Sequence, residues 1–120
     1  MVRRMWFARA GMHSRIMYIE YRRPDGRLVS ARIARVAFSK TGKTIYYDGR
    51  SFERLGRAQY YEIGSGDTNW LFAGPRKDGN DRRGNRPGSF PIEIDEDVRR
   101  EYWIEIRGLP DRAADAITYG

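Results

Sequence analysis

The stretch Thr44-Ile45-Tyr46-Tyr47-Asp48-Gly49-Arg50-Ser51-Phe52 constrains the fold more than any other part of the chain. Asp-Gly between two short runs of β-branched and aromatic residues is a strong hairpin signal, because a two-residue turn of this kind needs positive φ, which Asp and Gly reach with little strain. The same punctuation recurs along the chain. Pro24-Asp25-Gly26 follows Ile16–Tyr21, Ser39–Lys43 follows Leu28–Phe38, and Gly64-Ser65-Gly66-Asp67 separates Ala58–Ile63 from Asn69–Ala73. Pro91-Ile92-Glu93-Ile94 adds a last short strand. Short strands bounded by turn residues predict a mainly β (α+β) chain. The expected form is a small twisted antiparallel sheet or SH3-like barrel of six to seven short strands in meander order.

Two details sharpen that expectation. In Leu28–Phe38, Val29, Ala31 and Ile33 share one parity while Ala34, Val36 and Phe38 share the other. A strand with one apolar face must gain a residue at the switch, so a β-bulge is expected near Ile33–Ala34. The triplet Gly42-Lys43-Thr44 matches the end of a phosphate-binding loop, but that motif needs an upstream glycine and a following helix. Ala37 stands at the glycine position, and strand-forming Ile45-Tyr46-Tyr47 follows, so the triplet reads as part of a hairpin loop with Gly42 at positive φ.

One helix is expected, about 95–107. Asp95 suits an N-cap, Glu96 and Asp97 place acids in the first turn, and Val98, Tyr102 and Ile106 repeat on one face. Gly108 and Pro110 end it. In this reading the helix covers one opening of the barrel. Residues 1–15 form a basic, flexible arm, with Met12 and Met17 as alternative starts; 16–108 form a single β-rich domain, and 109–120 a frayed tail. Arg9 interrupts the apolar core that a secretory signal would need. Without cysteine there can be no disulfide and no thiolate metal site, which makes the cytoplasm the simplest compartment to assign. No membrane span is expected.

Charge is unevenly spread. Between Arg22 and Arg86, fifteen Lys and Arg stand against seven Asp and Glu, a net of +8; between Ile92 and Glu105, two arginines stand against six acids, a net of −4. The sole histidine, His13, lies in the arm, so no histidine-based catalytic site or transition-metal centre is expected, and no cofactor. Asp78-Gly79-Asn80-Asp81 lacks calcium-loop spacing and reads as a turn. The candidate binding residues are Arg76, Lys77, Arg82, Arg83 and Arg86 on the Gly74–Ser89 loop, outward-facing Tyr47 and Tyr61, and Lys40 and Lys43. Arginines on a permissive loop reach phosphates and exposed tyrosines stack on unpaired bases, which points to a non-enzymatic nucleic-acid-binding module. The alternative is a module recognising a partner protein, and a small hydrolase is the third reading.

Phe38–Tyr47, Gly74–Gly79 and Ile94–Trp103, taken together, resemble a family of small bacterial proteins of uncharacterised function, over roughly Ile16 to Gly108. Some members carry the name of an isoprenoid-pathway synthase. That name implies a large thiamine-diphosphate enzyme, whose sites a domain of this length cannot hold. The resemblance therefore implies no activity and transfers no functional residue.

Overall fold

The computed structural model describes residues 13–81 and 90–119. The arm up to residue 12 and three candidates, Arg82, Arg83 and Arg86, lie outside the described residues. The strands are β1 (His13–Arg22), β2 (Leu28–Phe38), β3 (Thr44–Tyr47), β4 (Arg50–Arg54), β5 (Gln59–Glu62), β6 (Trp70–Ala73), β7 (Pro91–Ile94) and β8 (Ile117–Tyr119). Strands β1 to β6 pair antiparallel in chain order, and β1 pairs again with β6 from Tyr18↔Ala73 to Tyr21↔Trp70, closing a six-stranded meander barrel. β7 joins β2 in parallel at Arg32↔Glu93 and Ile33↔Ile94, and β8 lies antiparallel on β7. The strand β1 begins at His13, three residues ahead of the apolar pattern.

The turns form as their residues dictate. Asp48 and Gly49 adopt φ of 53° and 75°, as a tight hairpin reversal requires. Gly42 takes φ 77° in a loop pinned by Gly42 N to Ser39 O (2.9 Å), Ser39 N to Thr44 O (2.9 Å) and Thr44 N to Ser39 Oγ (3.1 Å). Thr44 opens β3, so Lys43 belongs to a strand-to-strand loop and not to a strand-to-helix phosphate cradle.

The parity switch in β2 has a different cause from the expected bulge. The β1–β2 register runs unbroken from His13↔Phe38 to Tyr21↔Ser30, straight through Ile33 and Ala34. The extra residue is Val29, opposite the Tyr21/Arg22 step. Ala31 and Ile33 pack outside the barrel with Ile16, Tyr18, Ile92, Ile94, Val98, Tyr102 and Trp103. Ala34, Val36 and Phe38 pack inside it with Met17, Ile19, Ile45, Phe52, Tyr60 and Phe72. The chain thus builds two apolar cores on opposite faces of one hairpin. A strand buried on both sides carries apolar residues at both parities without any bulge.

The helix packs on the outer face of β1–β2, and does not close an end of the barrel. It runs continuously through a 3₁₀ turn (Glu96–Val98), an α turn (Arg99–Glu101) and a π segment (Tyr102–Ile106). Its end follows expectation: Gly108 has φ 66° and Leu109 N reaches back to Trp103 O at 2.7 Å. Its start does not. The Asp95 carboxylate makes no capping bond, because the parallel β2–β7 pairing sets it beside Arg32, which takes it in an ion pair. Residues 109–119 of the expected tail are also ordered. Pro110–Arg112 makes a 3₁₀ turn, Trp103 Nε1 donates to Asp115 O at 3.0 Å, and Ile94 N to Ala116 O at 2.8 Å before β8 begins.

Candidate functional site

In a closed meander, alternate connections emerge at the same end. The β2–β3, β4–β5 and β6–β7 connections, together with the start of β1, therefore share one rim. The first brings Lys40 and Lys43, the second Arg57 beside Arg54 at the end of β4, and the third Arg76 and Lys77. Arg15 of β1 joins them, its Nη2 lying 3.9 Å from where a Cβ on Gly74 would stand. Among the described residues, none of these seven cations has a carboxylate oxygen within 4.0 Å.

The opposite rim behaves differently. There Arg22 pairs with Glu20, Arg23 and Arg27 with Asp25 (3.5 and 3.9 Å), and Arg50 with Glu62 (3.7 Å). Its turns add Asp48 and Asp67. The barrel is therefore polar along its axis. One end has its cations neutralised, and the other leaves them facing solvent.

A shallow groove of about 720 Å³ opens on the basic rim, lined by Lys43, Glu53, Arg54, Leu55, Gly56 and Arg57. Its wall is stiff. Leu55 N and Gly56 N donate to Gln59 O (2.8 and 3.2 Å), while the Arg54 guanidinium donates to Gly56 O (3.1 Å) and Arg57 O (2.9 Å). Tyr61 stands at this side of the barrel, its hydroxyl donating to Glu53 Oε2 at 2.8 Å, a bond that raises the phenol pKa above its ordinary value. Of the expected binding residues, Lys43 thus lines the groove beside Glu53, and Tyr61 is bonded to that same carboxylate.

Tyr47 does not join them. Sharing parity with Ile45, it points inward, its ring 6.4 Å edge-on to Phe72, so Tyr46 is the outward member of that pair. Tyr47 also lines a pocket of about 440 Å³ with Arg32, Arg35, Asp48 and Asp95, where β2 leaves β3 for β7. Burial, reinforced by Asp95, pushes its phenol up to about 12. Both guanidiniums of that pocket are already engaged, Arg32 by Asp95 and Glu93, and Arg35 by Glu101 at 2.6 Å. It is a neutralised seam between barrel and helix and offers no spare cation.

Arg76 and Lys77 sit on a turn held by Gly79 N to Arg76 O (3.1 Å) and by Arg76 N to the buried Asp81 carboxylate (2.6 Å). Burial raises the Asp81 pKa. Beneath the turn, Arg107 donates to Tyr102 and Thr118 (3.0 Å each) and lies 5.0 Å from the Trp103 ring centre. The basic loop is thereby anchored to the outer core. His13, at the start of β1, stacks on Phe38 with ring centres 5.4 Å apart.

Arg15, Arg54, Leu55 and Arg57 escaped the reading of the sequence. The signal that could have found them is loop parity: in a meander barrel every second connection is a neighbour in space, and every second connection here is basic. No helix among the described residues is long and apolar enough to cross a membrane. Comparison of the chain with known protein families, with curated proteins and with solved structures finds no match.

Proposed function

We propose that this chain is a non-enzymatic nucleic-acid-binding module that works through the basic rim of its barrel, in the cytoplasm. The observation that carries the reading is the asymmetry of ion pairing: seven cations on three connections and two strand ends lack carboxylate partners among the described residues, while the arginines of the far rim have them. Holding like charges together raises the energy of the free molecule, and a polyanion relieves it by exchanging its condensed counterions for the rim. The rim supplies affinity and steering rather than sequence selection, since phosphate contacts position a ligand without reading its bases.

Binding of a labelled oligonucleotide, followed by anisotropy at rising salt, tests the reading. With about five cations engaged, the logarithmic slope for a single strand is about −3.5, so affinity falls about 100-fold between roughly 50 and 200 mM salt. No binding of single or double strands at low salt would refute the proposal. A salt-insensitive complex with a cellular protein in its place would favour the partner-protein reading.

A further inference from the structure

Resting on that reading, we infer that the ligand is single-stranded and that the β4–β5 hairpin tip grips it, with Leu55 against a base or sugar face and Lys43 and Arg57 on the flanking phosphates. Leu55 is 50% exposed at the hairpin tip, between the cations Arg54 and Arg57. An apolar side chain held out between cations gains nothing in the free molecule, and it is not there by slack. The two amides bonded to Gln59 O and the Arg54 fork across Gly56 and Arg57 fix the tip, so displaying Leu55 to a ligand costs little further ordering.

The chemistry of the groove selects an unpaired strand. Bases turned out of a single strand offer apolar faces at every step, whereas a duplex buries those faces and must be unstacked before a wedge can enter. The carboxylate on the groove wall, Glu53, has its Oε2 bonded by Tyr61 and repels phosphate. It confines the backbone to the side of Lys43 and Arg57 and leaves Leu55 and Tyr61 to the bases. Glu53 is a positioning residue here, and its removal lifts a repulsion.

The test uses the full chain and one labelled oligonucleotide as a single strand and as a duplex, titrated at several salt concentrations. The wild-type protein binds the single strand more tightly. Leu55→Ala weakens single-strand binding by roughly three- to tenfold at an unchanged salt slope, because it removes an apolar contact and no charge. Arg57→Ala and Lys43→Ala each flatten the slope by about 0.7, and Glu53→Gln tightens binding. All four residues are exposed, so unchanged thermal melts show that each variant folds.

Equal binding by Leu55→Ala and wild type, or tighter binding of the duplex, would overturn this inference and leave the basic-rim reading standing. Retention on vesicles rich in anionic lipid, lost in Leu55→Ala and without any oligonucleotide binding, would overturn both in favour of a membrane surface.

Discussion

Two cores on opposite faces of the β1–β2 hairpin make a quantitative prediction for neighbouring residues of β2. Ile33 is fully buried outside the barrel with Val98, Tyr102 and Trp103, and Val36 is buried inside it with Phe52 and Phe72. The two residues lie three positions apart and on opposite faces, about 10 Å along the strand. Ile33→Val removes one carbon and costs about 1 kcal/mol. Val36→Ala removes two, about 1.6 kcal/mol of transfer, and the cavity left behind raises this to about 2–3 kcal/mol. With no shared partner, the double variant loses the sum, about 3–4 kcal/mol, to within about 0.5 kcal/mol. Against a total of about 5–15 kcal/mol it remains folded, so guanidinium denaturation with an unchanged m-value measures each corner of the cycle. Ile33→Val combined with Val98→Ala is the control: both side chains belong to the outer core, and coupling beyond about 0.5 kcal/mol is expected. A negligible cost for Val36→Ala, or strong coupling between positions 33 and 36, would refute the two-core arrangement.

The remaining predictions probe the loop anchor, the buried phenols and the C-terminal strand. Gly79→Ala places a Cβ 2.6 Å from the Arg107 guanidinium at φ 79°, and thermal melts should show a loss of about 1–3 kcal/mol; a wild-type melting temperature would mean Arg107 is not held there. Tyr47, pushed up to about 12, binds its proton more tightly folded than unfolded, so its contribution is complete below pH 10 and lost as pH rises towards 12. Tyr102 shifts the same way through burial, so denaturation midpoints should fall in that window, less steeply in Tyr47→Phe. Trp103→Phe deletes the bond to Asp115 O at a cost of about 1 kcal/mol, and hydrogen exchange at the Ile94 amide, bonded to Ala116 O, should quicken. Exchange at Ile94 unchanged by that substitution would show that β8 holds without the indole.

Local signals served well wherever the backbone itself was the cause. Asp48-Gly49, Gly42 and Gly108 demand positive φ, and they mark reversals and a helix end whatever surrounds them. Signals failed where a distant segment decided the outcome. Asp95 has the residue type of a cap, but β7 delivers it to Arg32, and a charge-assisted bond displaces the weaker capping bond. Ile117–Tyr119 is too short to show alternation, and it becomes a strand because β7 presents an open edge and Trp103 tethers the chain ahead of it. Tyr46 and Tyr47 are indistinguishable in type. Only the β3 register turns Tyr47 towards Phe72.

By itself, then, the sequence determined a mainly β chain of hairpins with one late helix, because turn geometry and alternation are properties of a few consecutive residues. Closure of the barrel, the second core outside it and the gathering of cations at one rim were decided only in three dimensions. Each depends on which strands become neighbours. Pairing energy and burial between residues tens of positions apart settle that, and no local window contains it.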